Sequence, residues 1–415
     1  MFVSIVATTN HGGVVVVGQR NLIDFIQNLE IESDFFKNLP KVFKNRDALT
    51  TTFIPDELPH RTDELKTIAQ YFGYALAGST PPNMLILGST GIGKTVTVKK
   101  VIQMFEKTIN NMKAKNAANV VYITASNTAR NTLMLMSEEI DPEDRKVWSL
   151  SFESAWSRVY DKIRNITTIV VIDEIDKMMP DGSKLLYYLS RSSNVSIIGI
   201  SNKINFMDMI TDARVLSSFN PRKILFRRYN AVQLADILRY RSEMAFYDGV
   251  VDRGVIEYTA AKAYQNGGDA RYALDLLLYA GDIAVRENIE KITVELIDRA
   301  EDEAEHEYLR NCLRDMTIYH LTMLSIMLEN SCEPKPLGEI YNKTKEIVKD
   351  RFGREISSRR LSDFMKELEL MGFVKTVKVG RGRGRGFSWL VEIDVKGDMR
   401  DTVREILKEQ GLEDV

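Results

Sequence analysis

Apolar residues recur along this chain with two different periods, and the changes of period divide it. Over residues 62–77, Leu65, Ile68, Ala69, Phe72 and Leu76 return at three- and four-residue spacing. That spacing predicts an amphipathic helix with those five residues on its buried face, stopped by Pro81 and Pro82. Short runs at 84–87, 120–123, 169–172, 195–200 and 223–226 read as strands, those at 169–172 and 195–200 as buried ones. Helical patterns lie between them, from Lys94 to about Asn110 and over 127–163 with a break near Asp141 and Pro142. Strands alternating with helices predict a parallel sheet covered on both faces.

After Tyr229 the strands stop. Segments 231–247, 253–265, 268–287 and 293–308 all carry helical spacing, which predicts a small all-helical domain. The acidic stretch 301–307 reads as a solvated connecting helix. Three further helices, at 316–330, 336–349 and 356–370, precede alternating strands at 373–379 and 387–393 around a Gly/Arg turn. Three helices and a two-stranded hairpin make a winged helix. At the other end, 14–17 reads as a strand, 22–29 as a helix and 36–61 as an extended arm. The expected organisation is an appendage over 1–33, an α/β base domain over 34–229 and a helical domain over 230–300. An acidic linker over 301–314, a winged helix over 315–396 and a tail helix over 397–415 follow.

The 415 residues are 44% apolar and 27% charged, which excludes a collagen, a disordered acidic tail and a disulfide-dense secreted scaffold. No apolar run reaches the length of a membrane span, and the first residues lack the basic start and cleavage site of a secretory leader. Two cysteines, Cys312 and Cys332, are too few for a zinc site and suit a cytoplasmic protein. The formal net charge of −2 conceals an asymmetry: residues 334–391 hold 14 Lys/Arg and 7 Asp/Glu, a local +7 on a body of −9. A basic end on an acidic body suits contact with a polyanion.

Gly88, Ser89, Thr90, Gly91, Ile92, Gly93, Lys94 and Thr95 satisfy G-x-x-x-x-G-K-[ST] between a strand and a helix, with Val96 next in line. Glycines there let backbone N–H groups turn towards phosphate oxygens. Lys94 adds charge at the β/γ-phosphates, Thr95 can hold Mg²⁺, and the helix start presents its positive dipole end. The strand 169–172 delivers Asp173 and Glu174 at its C-terminal end, where open α/β sheets bind ligands. Asp173 suits Mg²⁺, and Glu174 suits orientation and deprotonation of an attacking water. Together these predict a site for ATP or GTP.

The order of motifs resembles the AAA+ class of P-loop ATPases, and more narrowly the archaeal replication initiators of the origin-recognition/cell-division-control type. The resemblance runs from about Asp34 to Ile393. It rests on 43–47, 55–61 with Glu64, the loop at 88–95, 172–176, 199–202, 212–218, 226–229 and 268–271. It implies an AAA+ base domain, a helical lid and a winged-helix DNA-binding domain. It also implies that Asn202 is the sensor-1 residue near the γ-phosphate and Arg271 the sensor-2 arginine of the lid. Arg214 sits where such proteins place an arginine finger, and Pro59, His60 and Arg61 resemble the segment against adenine and ribose. An insert at 126–147, with Arg130 as its candidate contact, would give the ATPase domain its own DNA contact.

Small hydroxyls and cations share one face of the third winged-helix segment: Ser357, Ser358, Arg359, Arg360 and Lys366. That composition suits a recognition helix in a major groove. The hairpin tip carries Arg381, Arg383 and Arg385 between glycines, flanked by Lys375 and Lys378, and no acid occurs from 370 to 391. Such a tip suits a narrow minor groove. The resemblance implies an ATP-dependent initiator on double-stranded origin DNA, with slow Mg²⁺-dependent ATPase chemistry. Its implied partners are related initiator subunits and the replicative helicase, and its place is the cytoplasm, on the nucleoid. A winged-helix transcription regulator and a clamp-loader-like ATPase are the alternatives.

Overall fold

The structure, a computed structural model, describes residues 6–8, 14–16, 40–112, 118–328, 333–380, 387–394 and 399–409. It falls into two compact units, Met1–Ile297 and Asp298–Val415. Strands β1 (Val6–Thr8) and β2 (Val14–Val16) pair antiparallel, Val6 opposite Val16. The second matches the strand expected there; the helix expected at 22–29 lies outside the described residues.

The expected arm is irregular from Pro40 to Arg61 apart from one 3-10 turn, Arg46–Leu49. Helix α1 (Thr62–Leu76) follows. Its buried face is Ile68, Tyr71, Phe72 and Ala75, whereas Leu65, Ala69 and Leu76 are half-buried. The face is therefore turned from the one the aliphatic residues predict. The ring of Phe72 meets Phe105 edge-on at 5.1 Å, and packing against the neighbouring helix sets the rotation.

Strand β3 (Met84–Leu87) leads into helix α2 (Lys94–Met112). Then come β4 (Asn119–Thr124), α3 (Ala129–Ile140), α4 (Phe152–Ile163), β5 (Thr168–Asp173) and α5 (Ser183–Ser190). Strand β6 (Val195–Ser201), α6 (Ala213–Phe219) and β7 (Arg222–Leu225) complete the layer. The five strands are all parallel, in the order β4-β5-β6-β3-β7. Every residue of β3, β5 and β6 is buried, as runs covered on both faces require. β7 is an edge strand and largely exposed. Inside the core lie Met134 and Met136 of the predicted insert, against Val147, Phe152 and Trp156.

Helices α7 (Ala231–Ala245), α8 (Arg253–Gln265) and α9 (Ala270–Arg286) follow the sheet in the first unit. Asn230 and Gln233 close a reciprocal capping box at the start of α7. The next helix, α10 (Val294–Asp315), is longer than expected, and the acidic stretch foreseen as a separate linker is its middle.

In the second unit, α11 (Ile318–Leu328), α12 (Leu337–Phe352) and α13 (Ser358–Leu370) pack with a hairpin of β9 (Val374–Gly380) and β10 (Phe387–Ile393). A two-residue strand, β8 (Lys335–Pro336), adds to β10, so the expected hairpin is a three-stranded sheet. Helix α14 (Met399–Glu409) buries Val403, Ile406 and Leu407 in the same core as Leu361, Phe364 and Leu368.

Candidate nucleotide site and nucleic-acid face

The loop from Gly88 to Gly93 joins a buried strand to α2 at the C-terminal edge of the sheet. Gly91 and Gly93 adopt φ of +70° and +90°, a region that penalises any side chain. Gly91 also touches the carboxylate of Asp269, where a Cβ would collide. Asp269 caps α9 by accepting from the N–H groups of Arg271 and Tyr272, and the Ala270 N–H donates to the Gly91 carbonyl at 3.1 Å. The end of α9 that carries Arg271 is thus seated on the loop.

Lys94 is buried, and its ammonium donates to the carbonyls of Gly88 (2.9 Å) and Ser89 (2.5 Å) and to Asn202 Oδ1 (2.9 Å). Burial lowers its pKa to about 8, against the opposing pull of Asp173. Ser89 Oγ is buried without a hydrogen-bond partner. Asp173 Oδ2 accepts from Thr95 Oγ1 (2.8 Å) and Tyr122 Oη (2.6 Å), and Oδ1 accepts from the Glu174 N–H (2.9 Å). Burial, then Asp173, pushes the Tyr122 phenol above its ordinary pKa. Glu174 stands at φ +52° just past the end of β5, a strained position for a residue with a side chain. Lys177 holds its carboxylate at 2.5 Å.

One open cleft gathers Thr90 to Val96, Asp173, Glu174, Asn202 and Arg271. Gly88 and Ser89 stand behind Lys94 as its carbonyl acceptors. Of the three residues expected against the base and ribose, only Pro59 lines the cleft. His60 is corrected to a tie between the arm and α7, its Nε2 lying 2.9 Å from Asp236 Oδ2. Arg61 is corrected to a brace behind the loop. It is buried, donates to the carbonyls of Ile92 and Arg227 and to Glu64, and lies 4.0 Å over the Tyr229 ring.

The far end of the cleft is built from residues the sequence pattern did not reveal. Phe53 and Ile54 of the arm face Ile237, Tyr240, Arg241 and Leu274. Arg241 is buried, donates to the carbonyls of Ala48 and Thr50, and lies 5.0 Å over the Phe53 ring. Burial lowers its pKa to about 10. Tyr240 Oη accepts from the Glu57 N–H at 3.1 Å. One signal was available: Arg241 continues the buried stripe of Leu234, Leu238 and Ala245, and a cation in an apolar stripe needs a reason.

Arg214 lies outside the cleft. Its exposed guanidinium forks onto Asp212 (3.1 and 2.7 Å), the cap of α6. Arg130 is half-buried and donates to the Trp148 carbonyl at 2.9 Å.

In the second unit, Ser357 caps α13 by accepting from the Arg360 N–H. Ser358, Arg359 and Lys366 are exposed on the same helix, and Arg360 is exposed beside the Phe364 ring. Lys345 donates to Ser358 Oγ at 2.6 Å. Lys375 and Lys378 are exposed on β9. Arg381, Arg383 and Arg385 lie outside the described residues.

Three family models match in series: an AAA ATPase domain over 57–198, a Cdc6 AAA+ ATPase-type lid domain over 235–302, and a CDC6 C-terminal winged helix domain over 316–402. The sequence is 43% identical over 359 residues to an ORC1-type DNA replication protein of Methanothermobacter thermautotrophicus, covering 86% of this chain and 94% of the relative. The chain belongs to the ORC1-type DNA replication proteins.

A second relative of this type, ORC1-type DNA replication protein 1 of Archaeoglobus fulgidus, is 35% identical over 390 residues, 89% of this chain and 93% of its own. The Aeropyrum pernix ORC1 protein, solved in complex with DNA, is 33% identical with a TM-score of 0.80, over 90% of this chain and 98% of its own. These matches bear out the AAA+ base, the helical lid and the winged helix, and support the initiator role over the regulator and clamp-loader alternatives. No described helix is long and apolar enough to cross a membrane.

Proposed function

We propose that this initiator binds duplex DNA at replication origins under the control of ATP or ADP in the Lys94 cleft, with Mg²⁺. The observation that carries this reading is the surroundings of Lys94. A buried ammonium turned onto loop carbonyls, beside an orphaned Ser89 hydroxyl, fits a phosphate chain. Thr95 and Asp173, already joined through one oxygen, fit the divalent ion.

A bound nucleoside triphosphate supplies the phosphoanhydride bond to be cleaved. The chain's own groups bind and orient it. Lys94, Asn202 and Arg271 supply positive charge and polar contacts where negative charge develops. Thr95 and Asp173 would hold Mg²⁺. Glu174 would take the proton of the attacking water, and its bond to Lys177 holds the carboxylate in reserve. Arg214, exposed at the surface, suits the finger of a neighbouring subunit and predicts slow turnover in a lone chain. Arg130 would give the ATPase unit its own DNA contact.

The exposed hydroxyls and arginines of α13 support major-groove contact, and the 33% identical Aeropyrum pernix ORC1 protein, which was solved in complex with DNA, supports DNA binding. The reading implies related initiator subunits and the replicative helicase as partners, in the cytoplasm on the nucleoid. Its test is anisotropy titration of origin and scrambled duplexes by nucleotide-free, ADP-bound and ATP/Mg²⁺-bound protein. Origin preference that shifts with nucleotide, and stops shifting in Lys94→Ala, is expected. Equal affinity for both duplexes in every state would sink the reading.

A further inference from the structure

The wing bears a feature that duplex recognition leaves unused. Residues 387, 389, 391 and 393 of β10 share one face, because side chains alternate along a strand. At the base of the wing that face is core: Val391 is buried and Ile393 packs beside it. Two residues further out the same face meets solvent, with Trp389 47% and Phe387 69% exposed. Lys378 lies directly opposite Trp389 in the ladder. Its ammonium sits 4.2 Å from the Phe387 ring centroid and 5.9 Å from that of Trp389. The result is an aromatic–cation–aromatic row on the hairpin.

A solvent-facing tryptophan and phenylalanine gain little for the fold, since neither closes the winged-helix core. Their neighbourhood selects the occupant. No acidic residue occurs from 370 to 391, while Lys375, Lys378 and three arginines do. A cationic strip interrupted by flat rings matches a strand of nucleic acid with its bases unpaired: phosphates meet the cations, and bases stack on the rings. In a closed duplex the base faces are covered by their neighbours, and rings of this kind reach only sugar edges. We propose that the Phe387–Lys378–Trp389 face binds single-stranded DNA by base stacking, so that the wing can hold a strand released from the duplex. This rests on the DNA-binding reading above and extends it to a second form of the same ligand.

The test uses the full chain, a labelled thirty-residue oligothymidylate and a labelled origin duplex at one moderate salt concentration. Phe387→Ala and Trp389→Ala are each compared with wild type, together with Trp389→Phe. The expected result is a loss of about tenfold in single-strand affinity for each alanine variant. Trp389→Phe should recover most of it, and duplex affinity should change less than about threefold. Equal loss on both DNA forms would overturn the proposal, because the rings would then be general wing contacts. Tight duplex binding with no single-strand binding in wild type would overturn it while leaving the initiator reading intact. Failure to bind either form would remove both.

Discussion

Tyr122 and Thr95 donate to the same oxygen of Asp173, at 2.6 and 2.8 Å. One carboxylate oxygen is thereby fixed from two elements, β4 and the start of α2. The phenol stays protonated through the physiological range, because burial and Asp173 both raise its pKa. Under the proposed role of Asp173, Tyr122 is a positioning residue for the carboxylate that would hold Mg²⁺. Removing such a supporting partner typically costs about 10- to 100-fold in metal affinity. Tyr122→Phe should keep its ADP affinity in EDTA but need at least about tenfold more Mg²⁺ for half-maximal enhancement of nucleotide binding. Fluorescent-nucleotide titrations with and without Mg²⁺ read this directly. An unchanged Mg²⁺ requirement would make the hydroxyl merely structural.

Arg61 gives a second test, because its role as a brace differs from contact with the base. Its guanidinium satisfies the carbonyls of Ile92 and Arg227 inside the protein. Arg61→Ala leaves both without that donor and removes the contact with Tyr229. The expected cost is about 2–4 kcal/mol of stability, seen in denaturant unfolding of the nucleotide-free protein. Arg61→Lys should recover only part, since an ammonium cannot reproduce the planar fork. A direct base contact would instead leave unfolding unchanged and weaken nucleotide binding alone.

The insert before β5 offers a pH test. Asp144 is gripped by Arg158 (2.6 Å) and Lys162 (2.5 Å), which tie it to α4. Arg158, then Lys162, holds its carboxyl at about 2, below the value of 3.8 for the free group. With the folded pKa below the unfolded one, the ion pair stabilises the fold above about pH 4. That contribution disappears as pH falls through about 2. Asp144→Asn should therefore melt lower than wild type at pH 7, with the gap closing as the pH approaches 2. A gap independent of pH would assign the loss to shape rather than charge.

Contiguous features were the legible ones. The strand of β5 could be read because a run covered on both faces has no polar interruption, and Gly88 to Thr95 is one contiguous motif. The order of base, lid and winged helix followed from where strands stop and resume. The far end of the cleft was not legible. Its arm has no period, and the groups that organise it arrive from far along the chain, as when Arg241 reaches the Ala48 carbonyl. The buried face of α1 was misplaced for a related reason: aliphatic spacing favoured Leu65 and Leu76, while the helix turned to bury Tyr71 beside Phe72. Adjacent residues were also hard to separate. Pro59, His60 and Arg61 follow one another, yet one lines the cleft, one ties the arm to α7 and one braces the loop.

The last prediction concerns the wing's charge. Lys375 and Lys378 are exposed on β9, which leads to a tip carrying three arginines and no acid. Each cation that neutralises a phosphate of duplex DNA releases condensed counterions, and contributes about 0.9 to the slope of log affinity against log salt. Replacing Arg381, Arg383 and Arg385 together by alanine should lower the magnitude of that slope by about 2.7 on duplex origin DNA if all three touch phosphates. The loss of affinity should be largest at low salt and shrink as salt rises. Base-edge contacts behave differently, since they weaken preferred sites more than scrambled ones and leave the slope alone. Arg359→Ala and Arg360→Ala on α13 should show that second pattern, with a loss of about 1–3 kcal/mol on origin DNA and less on scrambled DNA. An unaltered salt slope in the triple variant would place the tip away from the phosphate backbone and leave α13 as the principal anchor.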